Sequence, residues 1–223
     1  MIENVLHPRI VENKDWATAL FIFSFVLIAL TKSLFENRFI EFSRLIISDK
    51  YIKVFKDSSQ MMSWFIVFLF IVQLVSFSFF IHLLLNSFGY ILKTDWLTFI
   101  QIFTFLTVYI LSKYLIEKII ATAFDIEEIA EQFNLQKVSY RTFIGVFLLP
   151  INCFLFYSES ISQKFILVFT AIVLLINLFT YLVSLKNYQH LLLGKLFYFI
   201  LYLCALEIAP YYFMYYWFTK GIA

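Results

Sequence analysis

The residues of this chain that could do chemistry inside a membrane are one carboxylic acid and two amides in long apolar segments. Glu207 lies near the middle of Lys195–Trp217, which is long enough to cross a bilayer, since a spanning helix needs about 20 mostly apolar residues. A carboxylate facing lipid at that depth would cost several kcal/mol, so it must face other helices, be paired, or be protonated. Asn152 and Asn177 lie inside other apolar segments. The sequence therefore predicts an intramembrane polar cluster of Glu207, Asn152 and Asn177.

Two prolines lie close to these residues and predict helix kinks. Pro150 removes a backbone donor just before Asn152, and Pro210 does the same just after Glu207. Burial disfavours the charged form of a carboxyl, and no Lys or Arg lies at the depth of Glu207, so a neutral acid is predicted. Such an acid could hydrogen-bond neighbouring helices, or it could titrate during ion transport.

A second set of polar residues is predicted at the inner membrane interface, around the ends of the spans. Lys113 and Glu117 are four residues apart, so they share a helix face and can pair. Four other members, Tyr140, Arg141, Lys186 and His190, would suit phosphate binding in a lipid-modifying enzyme, and they also suit anchoring at the interface. The whole set is Lys113, Glu117, Tyr140, Arg141, Lys186, Asn187, Gln189 and His190.

Motifs of the common hydrolases and nucleotide-binding proteins are absent. The chain has no HExxH, GxSxG or phosphate-binding loop, and only four glycines. Cys153 and Cys204 lie in apolar segments without the spacing of a metal site, which predicts buried thiols. The carboxylates of the acidic segment 124–133 could hold a metal ion, but no His accompanies them, so the segment is interpreted as amphipathic with a solvated acidic face. These carboxylates are Asp125, Glu127, Glu128 and Glu131. His82 is interpreted as a snorkelling or hydrogen-bonded residue rather than as a ligand. We expect no metal and no cofactor, and a net charge of +2 does not favour nucleic acid.

The composition is that of a multi-pass membrane protein. Of its 223 residues, 62% are hydrophobic and 14% are charged, whereas a soluble domain usually carries about 25% charged residues. The predicted fold is all-α, a single membrane domain over 1–223 with six spans and one amphipathic interfacial helix. The spans are predicted at about 16–34, 62–85, 96–118, 140–157, 165–185 and 196–218, with the interfacial segment at 35–56.

The interfacial helix is predicted from an apolar stripe beside basic residues. Phe35, Phe39, Phe42 and Ile46 recur at helical spacing, which is typical of a helix lying along a membrane surface. The basic residues of this segment could contact anionic lipid or a partner protein, but ordinary positive-inside topology is the favoured explanation, because basic residues are expected beside the spans of any such protein. They are Arg38, Arg44, Lys50, Lys53 and Lys56.

The distribution of basic residues predicts the orientation. Of the 17 Lys and Arg residues, five fall on one side of the six predicted spans: Arg9, Lys14, Lys93, Lys164 and Lys220. The remaining twelve fall on the other side, which the positive-inside rule makes cytoplasmic. A loop predicted at Lys186–His190 lies on that side. Both termini are therefore predicted to be periplasmic.

Several strings resemble an uncharacterised family of multi-pass inner-membrane proteins of the Bacteroidota, a domain of unknown function. They include Lys137–Tyr157, LKNYQ at 185–189 and LFYFILYLCALEIAPY at 196–211, with weaker likeness at 38–45 and 113–120. The resemblance covers nearly the whole chain. It implies a multi-pass protein of a Gram-negative inner membrane, and it implies no activity.

Three functions fit these observations. The favoured one is a non-enzymatic membrane subunit or assembly factor of a cell-envelope complex, because the loops are short and no catalytic motif is present. The second is a small ion-coupled transporter or channel component that uses Glu207, since proline-broken helices line transporter sites. The third is a lipid-modifying membrane enzyme with its site at the inner interface.

Overall fold

The computed structural model describes residues 14–45, 64–123, 127–158 and 162–192; at 128, 129 and 183–192 only the backbone is described. Within those ranges every regular element is a helix. The six described helices are α1 (Asp15–Leu34), α2 (Glu36–Ser43), α3 (Trp64–Ser87), α4 (Trp96–Ala123), α5 (Glu127–Tyr157) and α6 (Gln163–Leu192).

Five of the described helices are long and apolar enough to cross a membrane. The qualifying stretches are Asp15–Leu34, Trp64–Ser87, Trp96–Ala123, Ala130–Tyr157 and Gln163–Leu182. The described part of the chain is all-helical and contains several such helices, which confirms the predicted all-α class. The sixth predicted span, 196–218, lies outside the described residues, so a total of six spans stays a prediction.

Helix α3 lies at the centre of the described helices. It packs against α1, α4, α5 and α6, and 56% of its most apolar stretch is buried, compared with 6% for α4 and 11% for α6. Helix α3 also carries polar side chains that are fully buried, among them Gln73, Ser76 and His82, and in a membrane such groups need protein partners rather than lipid. Helices α4 and α6, with little of their apolar stretches buried, are peripheral among the described helices.

Aromatic rings hold α1, α3, α4 and α5 together. Phe79 of α3 stacks on Phe21 of α1 with ring centroids 4.2 Å apart, and it lies 4.5 Å from the ring of Phe99 in α4. Phe156 of α5 meets Phe79 edge-on at 5.7 Å. Aromatic pairs in such geometries contribute about 0.5–1.5 kcal/mol beyond the area they bury. The described role of these four phenylalanine side chains is therefore packing between helices.

Helix α2 packs onto the protein by the stripe that predicted it. Phe42 is buried and meets Phe65 of α3 and Phe143 of α5 edge-on at 5.8 and 5.7 Å. Phe35 and Phe39 are partly buried against the same cluster. The helix exists as predicted over Glu36–Ser43, whereas its position along a membrane surface stays a prediction. Residues 46–56 lie outside the description.

Three helices are longer than the predicted spans. Helices α4, α5 and α6 contain 28, 31 and 30 residues, and at 1.5 Å per residue each is about 42–47 Å long, against a hydrocarbon core of about 30 Å. The prediction of a loop at Lys186–His190 is wrong, because α6 continues through these residues to Leu192. The physical reason is that no Gly or Pro occurs between Gln163 and Leu192 to end the helix.

Candidate functional site

The first group of polar residues joins α3 to α5 near the middle of both helices. Gln73 is fully buried, and its Oε1 accepts a hydrogen bond of 2.7 Å from the hydroxyl of Thr142. Gly145, one turn further along α5, makes this approach possible: a Cβ added there would lie 3.0 Å from the Cα and the Cγ of Gln73. Small residues allow such close backbone contact between membrane helices.

The second contact between α3 and α5 uses a predicted residue. Asn152 is fully buried, and its Nδ2 donates to the backbone carbonyl of Ser76 at 2.7 Å and lies 3.3 Å from the Ser76 hydroxyl. Pro150 lies inside α5, which continues to Tyr157. The requirement that Asn152 find a partner on another span is met by α3.

The other members of the predicted intramembrane cluster are placed differently or are not described. Asn177 is half-buried, and its Nδ2 donates to the carbonyl of Val173 in its own helix at 2.8 Å. Its described bond therefore does not join it to Asn152. Glu207 and Pro210 lie outside the described residues, and the cluster as a whole stays a prediction.

Several buried amides keep polar atoms without a hydrogen-bond partner among the described residues. They are Nε2 of Gln73, Oδ1 of Asn152, Oδ1 of Asn134 and Nε2 of Gln136. All four residues lie in α3 or α5 and are at most 5% exposed. An unmade hydrogen bond in a buried group costs about 1–3 kcal/mol, so these atoms are favourable positions for water or for another polar group. Amides carry no titratable proton at neutral pH, so these residues can bind and orient but cannot act as acids or bases.

The third group lies where α4 ends and α5 begins, here called the Glu127 end. Glu117 of α4 is buried and forms an ion pair with Lys137 of α5, with Oε1 and Nζ 2.8 Å apart. The ammonium of Lys137 also lies 5.6 Å from the ring centroid of Phe133. Glu117 thus contacts a neighbouring helix. Lys113, its predicted partner, is half-buried.

A shallow cleft opens beside this ion pair between α4 and α5. Its walls are Tyr114, Glu117, Lys118, Ala121, Glu127, Ala130, Glu131 and Asn134. Within the ranges that the structure describes, no three His, Cys, Asp or Glu side chains are grouped to hold a metal ion. The described part of the acidic segment is amphipathic: Glu127 is exposed and Glu131 is half-buried, whereas Gln132 and Phe133 are buried.

The remaining predicted interface residues are not brought to one place by the described contacts. Tyr140 is buried in the cluster that contains Phe42, and Arg141 is half-buried on the next position of α5. The predicted set Lys186, Asn187, Gln189 and His190 lies in the last turns of α6, where only the backbone is described. Of the predicted lipid-binding residues, Arg38 lies with its guanidinium 5.2 Å from the Phe65 ring centroid.

The opposite end of the bundle, here called the Trp96 end, holds contacts that sequence reasoning found only in part. The Nε2 of His82 lies 3.1 Å from the carbonyl oxygen of Lys93, so the interpretation of His82 as a hydrogen-bonded residue is confirmed. Lys93 in turn donates to the carbonyls of Leu155 and Ser158 at 3.1 and 2.7 Å. A cation at the carboxyl end of α5 satisfies carbonyls that the helix leaves free and complements its dipole.

The start of α4 is capped by an acidic side chain. Asp95 accepts hydrogen bonds from the backbone N–H and the hydroxyl of Thr98. These bonds from Thr98 hold the pKa of the Asp95 carboxyl below its ordinary value of 3.8. The cap fixes the connection between α3 and α4 where Gly89 turns with a φ of 79°, in the left-handed region that glycine tolerates.

Residues 17–218 match the family profile DUF4271, described as a domain of unknown function. The match covers all but the first two residues of the five candidate spans, and it extends beyond them to the segment that contains Glu207. The chain belongs to this family. The DUF4271 family has no stated activity. The match confirms the predicted resemblance to an uncharacterised domain. No curated protein and no solved structure matches the chain significantly.

Proposed function

We propose that this DUF4271 chain is a non-enzymatic integral membrane subunit, or assembly factor, of a cell-envelope complex. It resides in the inner membrane of a Gram-negative bacterium of the Bacteroidota, with both termini in the periplasm. The observation that carries the proposal is that three polar contacts, Thr142–Gln73, Asn152–Ser76 and Lys137–Glu117, join the protein's own helices. Among the described residues, the outward faces of α4 and α6 are exposed.

The internal use of polar groups favours a structural role over catalysis. The Thr142–Gln73 and Asn152–Ser76 bonds join α5 to α3, and the Lys137–Glu117 ion pair joins α5 to α4. A catalytic group must instead reach a substrate from a cleft. The cleft at the Glu127 end contains carboxylates, yet the most buried of them, Glu117, already pairs with Lys137.

The peripheral helices supply the surface for other proteins. Large apolar side chains such as Leu175 and Phe179 on α6 are 64% and 66% exposed. Such faces contact either lipid or other membrane helices, and in a membrane complex part of this surface is protein-covered. The basic residues Arg38 and Arg44, with the three lysines that follow, are proposed to contact anionic lipid at the inner surface.

The test is purification of the tagged chain from native membranes in mild detergent, with quantification of every co-purifying protein. A subunit brings down a different membrane protein at fixed stoichiometry, and a substitution such as Phe179→Ala that thins the α6 face lowers its yield. Ile22→Ala on α1, where Ile22 is 58% exposed, is the matched control for loss of an exposed apolar side chain. Recovery of the chain without any stoichiometric partner overturns the proposal.

A second candidate, an ion-coupled transporter or channel component, is favoured by the amide atoms between α3 and α5. Gln73 Nε2 and Asn152 Oδ1 are buried and lack partners among the described residues, so they supply polar positions at membrane depth. In this function Glu207 is the group that takes up and releases the proton. Proteoliposomes with Glu207→Gln must then lose proton-coupled flux, because Gln keeps the hydrogen bonding but cannot titrate. Undiminished flux in that variant would exclude Glu207 as the coupling group.

A further inference from the structure

The cleft between α4 and α5 at the Glu127 end has room for one small group. Its volume is about 20 Å³, and a cavity of roughly 10–15 Å³ is enough for one water molecule. A primary ammonium group is similar in size to a water molecule, whereas a trimethylammonium group carries three methyl groups in place of its N–H hydrogens. The volume therefore favours a primary ammonium group over a methylated one.

A buried oxygen atom in the wall of the cleft lacks a hydrogen-bond donor. Asn134 lines the cleft and is 5% exposed, and its Oδ1 atom has no hydrogen-bond partner among the described residues. An unmade hydrogen bond at a buried acceptor is unfavourable. An amide oxygen accepts hydrogen bonds and cannot donate them, so the group that satisfies Oδ1 must carry an N–H or O–H donor.

The charges of the cleft favour a cationic donor. Glu127 and Glu131 line the cleft, and neither forms an ion pair with any residue that the structure describes. The same is true of Lys118 on the opposite wall, whereas Glu117 is paired with Lys137. The unpaired groups of the described walls are thus two carboxylates and one ammonium. A cation that enters forms charge-assisted hydrogen bonds, which are stronger than neutral ones.

The arrangement of these oxygen atoms suits an ammonium group better than a metal ion. Glu127, Glu131 and Asn134 follow one another on α5 at separations of four and three residues, so they share one face of the helix. Within the described ranges, however, the carboxylates of the cleft are not grouped closely enough to hold a metal ion. An ammonium group directs three N–H donors in separate directions and can therefore bind acceptors that do not converge on one point.

The cleft lies at the level of the lipid headgroups. Its α4 residues belong to the end of the candidate span Trp96–Ala123, and its α5 residues flank the start of the next span at Ala130. Beside it on α4, Leu115 and Ile119 are 57% and 68% exposed, and such surface suits an acyl chain. Lys118 is exposed between them and can bind a phosphate group.

We propose that this cleft binds the ethanolamine headgroup of a phospholipid. The ammonium group of the lipid binds Asn134 Oδ1 and the carboxylates of Glu127 and Glu131, and its phosphate binds Lys118. A lysine side chain of a protein would satisfy the carboxylates but would leave Lys118 without an anion, whereas this headgroup supplies both charges. The site recognises a zwitterionic lipid and does not depend on the proposed envelope complex.

The test is native mass spectrometry of the full chain in a mild detergent with added lipid. Phosphatidylethanolamine and phosphatidylcholine with the same acyl chains are compared at equal concentrations, because they differ only in the three methyl groups on the nitrogen. One bound phosphatidylethanolamine is expected, with an affinity at least about tenfold higher than that of phosphatidylcholine, since a methylated nitrogen has no N–H to donate. Free O-phosphoethanolamine, which carries the same charged groups without acyl chains, is the third probe.

Two substitutions place the lipid in the cleft. Glu131→Gln and Asn134→Leu each remove a partner of the ammonium group and are expected to lower the affinity for phosphatidylethanolamine about tenfold. Glu36→Gln, which neutralises an exposed carboxylate of α2 outside the cleft, is the matched control and should leave the affinity unchanged. Circular dichroism verifies that each variant remains folded.

Three results would overturn the proposal. Equal binding of phosphatidylethanolamine and phosphatidylcholine, or of neither, would show that the cleft does not recognise the ammonium group of a lipid. An affinity that neither cleft variant lowers would place the lipid elsewhere on the protein. Displacement of the lipid by O-phosphoethanolamine at an equal concentration would show that the site takes a soluble amine.

Discussion

Enlarging Gly145 provides the sharpest test of the described packing. A Cβ at this position would lie 3.0 Å from Gln73 Cα and Cγ and 3.2 Å from its Cβ. Favourable carbon–carbon contact needs about 3.5–4.0 Å, and the Cα of Gln73 cannot move without its helix. Gly145→Ala is therefore expected to separate α3 from α5 locally by a few tenths of an ångström, which stretches the Thr142–Gln73 hydrogen bond.

The magnitude follows from three opposing contributions. Overpacking of a filled core costs about 1–3 kcal/mol, and loss of one interhelical hydrogen bond in a membrane protein costs about 0.6–1.7 kcal/mol. Alanine regains about 1 kcal/mol over glycine in helix propensity. The net expectation for Gly145→Ala is a loss of roughly 1–4 kcal/mol in the free energy of unfolding, with a larger loss for Gly145→Leu.

The assay is unfolding in mixed micelles of a mild detergent and increasing SDS, followed by circular dichroism. Ala171→Leu, which enlarges an exposed side chain on α6, is the control and should leave the midpoint unchanged. If Gly145→Leu unfolds at the same SDS fraction as the unmodified chain, α3 and α5 do not approach at Gly145. The reasoning from the contact distances would then be refuted.

Three further substitutions test the other contacts. Lys137→Met removes the cation beside the buried Glu117 carboxylate and should lower the free energy of unfolding by about 3–5 kcal/mol. Adding Glu117→Gln should recover part of this loss. If the two losses instead add in full, the ion pair does not stabilise the protein. Asp95→Asn should remove a pH dependence of the melting temperature. The hydrogen bonds from Thr98 lower the pKa of the Asp95 carboxyl in the folded protein. Their stabilisation is therefore present above the ordinary pKa of 3.8 and is lost as the pH falls through the lower pKa of the folded protein. Asn152→Leu should lower stability by about 0.6–1.7 kcal/mol through the lost interhelical bond, and an unchanged SDS midpoint would contradict it.

The helices could be predicted because their signal is local. Apolar stretches of membrane length identify α1, α3, α4, α5 and α6 without reference to any neighbour. The ends were harder, since α4, α5 and α6 run past the hydrocarbon length with sequences that are polar yet helix-compatible. Lys186–His190 is such a stretch: its polarity indicates an exit from the membrane, but polarity does not break a helix.

The polar contacts could be predicted only in part, because they depend on how helices are rotated against one another. The sequence identified Asn152 as needing a partner, but nothing local pointed to Ser76 as that partner. Gln73, an amide in the middle of the apolar span α3, is not among the residues that the sequence analysis singles out. Gly145, one of four glycines in the chain, was the available signal, because a glycine inside an apolar helix marks close backbone approach.

The partner of His82 could not be found from sequence at all. Its ring nitrogen bonds to the backbone carbonyl of Lys93, and a carbonyl oxygen has no residue-type signature. The same holds for the carbonyls at the end of α5 that Lys93 satisfies, Leu155 and Ser158. Predicting these contacts requires knowing that the α3–α4 connection folds back over the end of α5.

The placement of ionisable groups separates the two candidate functions. The apolar cores of the described spans, such as 97–112 of α4 and 142–157 of α5, contain no Asp, Glu, Lys or Arg. Their polar groups there include amides and hydroxyls, which can hold helices together and bind water but cannot carry charge. Among the described spans, His82 of α3 is a buried titratable side chain, and it is hydrogen-bonded to a backbone carbonyl. In the transport proposal the coupling group is Glu207, which is predicted to lie at membrane depth, whereas a structural subunit needs only the hydrogen bonds of that side chain. A chain that assembles and functions normally with Glu207→Gln, and fails with Glu207→Leu, is the behaviour of a structural subunit.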